Sequence, residues 1–204
     1  YRSRFLQAAV EASVPITTEI GLFAAHFPGR TIAVTGTSGK TTTTALLGEM
    51  VSNEIPDTLV GGNMGISLLD NLSLSTNQTT AVLEVSSFQL RYLGLMAWAP
   101  DIAMVTNFAP NHLDIHDDLE DYRDCKRQLV AHQSASNTTI LNWDDPESSG
   151  WDERGTVAHF GLTPGDGDGV YVNDGCIVSR RGGRDRGICS VDDLVISGEH
   201  NQAN

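Results

Sequence analysis

Apolar and polar positions follow two different periods between residues 30 and 142. Continuous apolar runs lie at residues 30–35, 81–85, 101–107 and 139–142. Runs of this length and composition are typical of strands that are buried on both faces of a parallel sheet. The segments between them repeat apolar residues at intervals of three and four, which predicts helices. This alternation predicts an α/β fold with a doubly wound, mainly parallel sheet.

The pattern of the first 29 residues predicts a separate segment with two short helices before the α/β domain. Residues 2–12 place Phe5, Leu6, Ala9 and Val10 at helical spacing, and a second helical turn is predicted around residues 22–23. Pro28 and Gly29 close this segment. We interpret residues 1–29 as the end of a preceding domain and its linker. Because the chain starts at Tyr1 and not at Met, we expect a fragment of a longer protein.

The pattern becomes less regular in two places. After the first strand, residues 46, 47, 50 and 51 predict the buried stripe of a helix, and residues 60–65 predict a glycine-rich turn. From residue 150 onward, short strands are predicted at 156–160, 169–172, 177–179 and 194–196, with a hairpin turn at 173–175. We expect these strands to form a small antiparallel appendage, with the arginines of residues 180–186 in an exposed loop.

Charge and composition limit the function classes. The formal net charge of −13 argues against nucleic acid or an anionic membrane as the main partner, since both are negatively charged. No apolar run approaches the roughly 20 residues of a membrane span. The three cysteines are scattered and odd in number, which suits reduced thiols in a cytoplasmic protein rather than a zinc or disulfide framework.

A glycine-rich loop joins the first strand to the first long helix. Gly36 and Gly39 allow a tight turn in which backbone N–H groups of residues 36–42 converge on an anion, aided by the helix dipole. Lys40 adds a positive charge, and Thr41 adds a hydroxyl suited to Mg²⁺. The loop is shorter than the common phosphate-binding loop. The alternative is a glycine-rich turn with an incidental lysine, and ATP binding is the working hypothesis.

Polar residues follow the next strands. Glu84 lies near the carboxyl end of a buried strand, where ligands bind in parallel sheets, so Mg²⁺ is a better partner for it than a helix terminus. Ser86 is a helix cap or a ligand contact. Asn63 offers a donor and an acceptor among glycines, although such a segment on its own is more often only a turn.

The segment from residue 111 to residue 133 carries two histidines and a lysine. His112 and His116 are four residues apart, but no glutamate follows the first of them, so a zinc-protease helix is not indicated. Lys126 lies on the apolar stripe of a helix predicted from about 119 to 133. It is either a lysine whose stem packs while its head reaches water, or a desolvated amine able to react with carbon dioxide to give a carbamate.

These motifs together resemble the Mur ligases. The resemblance rests on Gly36-Thr-Ser-Gly-Lys-Thr-Thr42, Gly61-Gly-Asn63-Met-Gly65, Glu84-Val-Ser-Ser-Phe-Gln-Leu90, Thr106-Asn107, His112-Leu-Asp-Ile-His116, Tyr122, Lys126 and residues 197–204, in the family's order. Ser38, where the family usually has Asn, and the Phe108-Ala-Pro110 triplet depart from its pattern. The Ser-Ser-Phe-Gln-Leu form after Glu84 is most like the members that add D-glutamate to UDP-N-acetylmuramoyl-L-alanine.

The resemblance implies a three-domain, ATP-dependent bacterial ligase that works through an acyl phosphate. Residues 30–198 would be its central ATP-binding domain, and residues 199–204 would begin the C-terminal domain. Two Mg²⁺ ions are implied, one held by Thr41 and Glu84, the other by His112 and carbamylated Lys126. The implied contacts to ATP are Gly36, Thr37, Ser38, Gly39, Lys40, Thr41, Thr42, Thr43, His200, Asn201 and Asn204, and those to the muramoyl-alanine end are Asn63, Ser86 and His112.

Other interpretations stay open at this point. Another Mur ligase or a folylpolyglutamate synthase would share the central fold. A phosphate-loop switch that hydrolyses nucleotide only to change shape would need no second metal site, so the pair His112 and Lys126 argues against it. We expect a cytoplasmic monomer that has no nucleic-acid or membrane partner.

Overall fold

A single nine-stranded sheet organises the chain, in the order β2-β3-β1-β4-β5-β6-β7-β8-β9. The computed structural model describes residues 3–151 and 154–195. The strands are β1 (Arg30–Thr35), β2 (Thr58–Gly62), β3 (Thr80–Glu84), β4 (Ile102–Val105), β5 (Thr138–Asn142), β6 (Thr156–Gly161), β7 (Gly169–Asn173), β8 (Cys176–Arg181) and β9 (Arg184–Ser190). The helices are α1 (Arg4–Glu11), α2 (Glu19–His26), α3 (Lys40–Glu54), α4 (Ser87–Leu95) and α5 (Leu119–Ala131). The predicted α/β class is confirmed.

The seven strands β1 to β7 run parallel to one another. Strand β8 is antiparallel to β7, and β9 is antiparallel to β8. Every residue of β3 is buried, and β1 is buried from Thr31 onward. Burial on both faces explains why these strands have continuous apolar sequences. Strand β1 lies between β3 and β4, so the chain reverses its direction of progress through the sheet there. Ligands bind at the carboxyl ends of strands beside such a reversal.

Helix α3 packs on β1, β2 and β3, while α4 packs against α5 and α2. The predicted buried stripe of α3 is wrong in part, because Met50 is 64% exposed and Leu46 and Leu47 are only half-buried. The residues of α3 that are buried are Thr43, Thr44 and Gly48. An ideal Cβ on Gly48 would lie 2.6 Å from a methyl group of Val60. The helix therefore packs closely on β2 through small residues instead of a large apolar stripe.

The second half of the sheet differs from the predicted appendage. Strands β6 and β7 continue the parallel sheet, and only β8 and β9 are antiparallel. The arginines between 180 and 186 lie in the β8–β9 hairpin, where Arg180 pairs with Asp185, and not in a loop. A short 3₁₀ turn at Val191–Asp193 follows. The strand predicted at 194–196 is wrong for Leu194 and Val195, which lie in no strand, and residue 196 lies outside the described residues. Residues 60–62, predicted as the start of a turn, belong to strand β2.

Helix α1 lies at the periphery of the fold. None of its residues is buried, and Phe5 and Val10 are 89% and 67% exposed. Within the described residues no helix combines the length and apolarity needed to cross a bilayer. The three cysteines have free thiols.

Candidate nucleotide and metal site

The loop between β1 and α3 has the backbone geometry of an anion cradle. Gly36 has φ +152°, and an ideal Cβ there would lie 1.9 Å from Thr106 Oγ1. Gly39 caps α3 in the left-handed region with φ 81°. The first intrahelical bond runs from Thr43 N to Gly39 O, so the amides of residues 40–42 have no acceptor within the helix. Free amides at a helix N-terminus bind phosphate.

The exit of β4 holds this loop from the other side. Thr37 N donates to Asn107 O at 3.0 Å, and Ser38 N donates to Asn107 Oδ1 at 2.9 Å. Thr106 Oγ1 donates to Ser38 O at 2.6 Å. The amides of Thr37 and Ser38 therefore donate to Asn107, so only part of the predicted anion cradle of residues 36–42 is left to bind a ligand. The sequence patterns alone predict no role for Asn107. Its position just after a strand places it at the same edge of the sheet as the loop, which is the feature that indicates such a contact.

Lys40 is the first residue of α3, and its Nζ donates to Thr37 O at 3.1 Å. Partial burial lowers the pKa of Lys40, and the negative charge of Glu84 works in the opposite direction. Among the residues that the structure describes, the Lys40 ammonium forms no ion pair. A partly desolvated cation without a carboxylate partner is suited to phosphate.

Glu84 is a buried carboxylate at the end of β3, with 2% of its surface exposed. It accepts hydrogen bonds from Thr41 Oγ1 at 2.7 Å and from Asn63 Nδ2 at 2.9 Å. No ion pair to Glu84 occurs within the described part of the chain. A buried charge without a counter-ion is costly, and hydroxyl, amide and carboxylate oxygens are ligands that Mg²⁺ prefers. The predicted neighbours Thr41 and Glu84 are thus in contact, with Asn63 beside them.

Lys126 is 2% exposed and lies beneath the loop. Its Nζ donates to Gly36 O at 2.7 Å and lies 4.8 Å from the centre of the Tyr122 ring. Burial, followed by the charge of Lys40, lowers the pKa of Lys126 to about 7. The interpretation of a lysine whose head reaches water is therefore wrong. An amine that is partly neutral near pH 7 fits the chemistry of carbamate formation.

His112 is exposed and has a positive φ of 54°. Its ring lies edge-on to Phe88, with centroids 5.8 Å apart, and edge-on to Tyr122, at 6.0 Å. Lys126 contacts the same Tyr122 ring. The structure thus gathers His112 and Lys126 around one aromatic side chain that also contacts Thr37 of the loop.

His116 is the residue whose environment the sequence did not reveal. It is 1% exposed, and its ring hydrogen bonds with Ser87 Oγ at 3.0 Å and with Asp121 Oδ2 at 2.9 Å. The spacing of His112 and His116 had drawn attention to zinc and not to Ser87 or Asp121. Only the packing of α4 against α5 brings these three side chains together.

The remaining predicted residues have mixed outcomes. Ser86 caps α4 in a reciprocal arrangement with Gln89, as predicted; its contact with a ligand stays a prediction. Thr42 is half-buried in the first turn of α3. Thr43 is buried, and its hydroxyl has no hydrogen-bond partner among the described residues, so it is not open to solvent as a nucleotide contact would be. His200, Asn201 and Asn204 lie outside the described residues.

The donor set fits both a nucleotide and a hard cation. Gly36 leaves space that a side chain would fill, residues 40–42 present amides without a helical acceptor, and Glu84 has no ion pair within the described ranges. These features meet at the carboxyl ends of β1 and β3, beside the reversal in strand order.

A comparison with protein families identifies the domain. Residues 34–204 match the model of the Mur ligase middle domain, which covers more than half of the chain. The chain belongs to the Mur ligase family. The phosphate loop, Glu84, His112 and Lys126 all lie within the matched residues of this Mur ligase domain.

Two curated relatives of the domain carry the same name. The chain is 38% identical over 203 residues to UDP-N-acetylmuramoylalanine–D-glutamate ligase of Symbiobacterium thermophilum, covering 98% of this chain and 44% of the relative. It is 36% identical to the ligase of the same name from Clostridium botulinum, covering 100% and 43%, respectively. The chain therefore spans less than half the length of these relatives.

Solved structures of Mur ligases share the fold. MurF from Acinetobacter baumannii aligns with a TM-score of 0.66 at 22% identity, covering 90% of this chain and 42% of that one. MurF from Thermotoga maritima in complex with ADP aligns with a TM-score of 0.54 at 22% identity, covering 79% and 39%. Identities this low establish the common fold of the Mur ligase domain and not its substrates.

Proposed function

We propose that this domain is the ATP-using centre of a ligase that joins D-glutamate to UDP-N-acetylmuramoyl-L-alanine in peptidoglycan precursor synthesis. The observation that carries the proposal is the 36–38% identity with ligases of that name over nearly the whole chain. The free amides of residues 40–42, a Lys40 that forms no ion pair with any described residue, and the buried Glu84 support the same class of reaction.

The domain organisation is part of the proposal. Residues 1–29 would lead in from an N-terminal domain, residues 30–198 would form the central domain, and residues 199–204 would begin a C-terminal domain that carries D-glutamate. The exposed apolar residues Phe5 and Val10 on α1 support a neighbour on that side. The complete enzyme would be a cytoplasmic monomer.

The proposed reaction has two steps. The muramoyl-alanine carboxylate attacks the γ-phosphorus of ATP, giving an acyl phosphate and ADP. The amine of D-glutamate then attacks the acyl carbon, the C–O bond breaks, inorganic phosphate leaves and a proton is lost from the amine. Each step brings anions together, so the site must supply positive charge.

The chain's own residues would divide this task. The amides of residues 40–42 and the Lys40 ammonium hold the β- and γ-phosphates. Thr41 and Glu84 would hold one Mg²⁺, and His112 with carbamylated Lys126 would hold a second. Bound Mg²⁺ would neutralise phosphate and carboxylate charge. Asn63 and Ser86 would contact the muramoyl-alanine end, and His200, Asn201 and Asn204 the adenine side.

The carbamate is supported by the burial of Lys126 and by its lowered pKa of about 7. One N–H of a carbamate would still be able to donate to Gly36 O. An ammonium would repel Mg²⁺, whereas a carbamate offers two oxygen ligands. We expect Lys126→Ala in the full-length protein to lose nearly all activity, and formate or acetate to restore part of it. An active, folded variant without additive would contradict the carbamate role.

The function is tested with the full-length protein, ATP, Mg²⁺ and UDP-N-acetylmuramoyl-L-alanine. Product mass and phosphate release are measured with D-glutamate, L-glutamate, L-lysine, meso-diaminopimelate and L-alanine in parallel. We expect amide formation with D-glutamate alone. Amide formation with another amino acid would indicate a different Mur ligase, and phosphate release that needs no muramoyl acceptor would favour a nucleotide switch.

A further inference from the structure

A buried chain of polar side chains joins helix α4 to helix α5 beside the site. Ser87 Oγ lies 3.0 Å from His116 Nε2, and His116 Nδ1 lies 2.9 Å from Asp121 Oδ2. Ser87 and His116 are 3% and 1% exposed. Asp121 also pairs with Arg91, which extends the chain back to α4. Asp121 is only partly buried. We call Ser87, His116 and Asp121 the buried relay, after its two buried members.

The relay fixes one tautomer of His116. Burial acts to raise the pKa of Asp121, but the hydrogen bond with His116 and then the charge of Arg91 together lower it, so Asp121 accepts as a carboxylate. His116 Nδ1 therefore carries the proton, and Nε2 accepts the hydroxyl proton of Ser87. Both ring nitrogens are used, which locks the plane of the imidazole.

Two other roles for these residues fail on the geometry. The hydrogen-bonded sequence serine, histidine, aspartate is the one found in the catalytic triads of hydrolytic enzymes. Ser87, however, is buried and closed to a substrate. His116, Asp121 and Cys125 also lie close enough for their ligand atoms to share a metal ion. His116 has no lone pair left for a metal, and the adjacent Arg91 cation would repel one.

The locked imidazole supports the aromatic side chains around His112. His116 stacks on Phe88, with centroids 4.9 Å apart and an interplanar angle of 17°. It also meets the Tyr122 ring edge-on at 5.1 Å. Phe88 and Tyr122 are the two rings that contact His112, and Tyr122 OH lies 3.2 Å from Thr37 Oγ1 in the phosphate loop.

We propose that His116 is a positioning residue, which the buried relay orients so that Phe88 and Tyr122 place His112 and the phosphate loop for the reaction. This inference rests on the proposed function. Mutating a residue that orients a metal ligand without touching the metal typically lowers activity or metal affinity by about 10- to 100-fold. Their loss should affect the catalytic step, since the rings determine where His112 lies.

The decisive variants are Ser87→Ala, which removes the hydroxyl hydrogen-bonded to His116 Nε2, and His116→Phe, which keeps a stacking ring without its hydrogen bonds. Thr139→Val is the matched control, because it removes a buried hydroxyl that donates to Gln133, just past the carboxyl end of α5. All three are made in the full-length protein, with thermal unfolding measured for each.

We expect both relay variants to lower kcat by about 10- to 100-fold and to raise the Mg²⁺ concentration needed for half-maximal rate, while the KM for D-glutamate stays within about twofold. Thr139→Val should lose comparable stability and keep its kcat. Should His116→Phe fail to fold, Ser87→Ala decides the question. A kcat within twofold of the wild type in a folded Ser87→Ala variant would overturn the proposal.

A second measurement does not depend on activity. In the 204-residue chain labelled with ¹⁵N-histidine, His116 should show the neutral Nδ1–H tautomer, with a slowly exchanging ring proton that is lost in Asp121→Asn. A ring proton on Nε2 would refute the relay. If the wild type makes no amide but the tautomer is as stated, the proposed function has failed and the relay geometry has not.

Discussion

Replacing Glu84 by glutamine separates a metal ligand from a structural carboxylate. Glu84 is 2% exposed and accepts from Thr41 and Asn63. A hydrogen bond to a charged group contributes about 1.5–3 kcal/mol and one to a neutral group about 0.5–1.5 kcal/mol. In the glutamine variant the amide oxygen accepts from Asn63 and the amide nitrogen donates to the Thr41 hydroxyl, so exchanging two charged bonds for two neutral ones costs roughly 2 kcal/mol. Removing a buried charge without a counter-ion recovers several kcal/mol of desolvation.

The two effects have opposite signs, and the desolvation of the charge is the larger. We therefore expect Glu84→Gln to leave the free energy of unfolding unchanged or to raise it by about 1 kcal/mol. The same change should remove the benefit of Mg²⁺ for nucleotide binding. We expect the affinity for ATP with Mg²⁺ to fall at least about tenfold, which corresponds to about 1.4 kcal/mol.

The assay is ATP titration of the 204-residue chain by calorimetry, once with Mg²⁺ and once with EDTA, beside urea unfolding of the same samples. Glu49→Gln is the control, because it makes the same charge change at an exposed position of α3. A Glu84→Gln variant that loses several kcal/mol of stability and keeps the wild-type response to Mg²⁺ would refute the reasoning and make Glu84 a structural residue.

Three further predictions address the loop and the buried lysine. Gly36→Ala should weaken ATP binding at least about tenfold, because its Cβ would collide with Thr106, whereas Gly150→Ala, whose Cβ would meet open space, should not; equal affinities would contradict the cradle. Lys40→Ala should lower the turnover of the full-length protein by about a hundredfold, measured as phosphate release, and near-normal turnover would exclude the loop as the phosphate site. The pKa of Lys126 is about 7 in the folded chain and 10.5 in the unfolded chain, so between these pH values the unfolded chain binds more protons than the folded one. The free energy of unfolding should therefore rise with pH in this range, measured by urea titration in bicarbonate-free buffer. Lys126→Met should flatten that rise, and parallel curves would show that Lys126 titrates normally.

The 204-residue chain by itself gives one more test. We expect it to make no amide from D-glutamate and the muramoyl-alanine acceptor, because the proposed D-glutamate residues lie outside it. Amide formation at an appreciable rate by this chain, free of contaminating ligase, would contradict the domain proposal.

Local signals in the sequence were sufficient for the elements with strong patterns. Strands β1 and β3 are buried on both faces, which requires continuous apolar runs, and the glycines of the phosphate loop have the conformations that the turn needs. Thr41 and Glu84, which the family resemblance assigned to one Mg²⁺, lie at the same edge because parallel strands end together. The hairpin turn before β8 was also predictable, because the sequence Asn-Asp-Gly at 173–175 is typical of such turns. In the structure Asp174 and Gly175 both adopt the positive φ that this turn needs.

Long-range packing decided what the sequence left open. Strand β2 has few apolar residues and is recognisable only from its pairing with β3, and β6 and β7 could have joined either a parallel or an antiparallel arrangement. The role of Asn107 depends on β1 and β4 being neighbours, which sequence spacing does not fix. His116 was ambiguous for the same reason: its partner Ser87 lies 29 residues away on another helix. Local periodicity determines which residues form a helix or strand, whereas contacts between distant segments determine which polar groups are buried and therefore which of them must find partners.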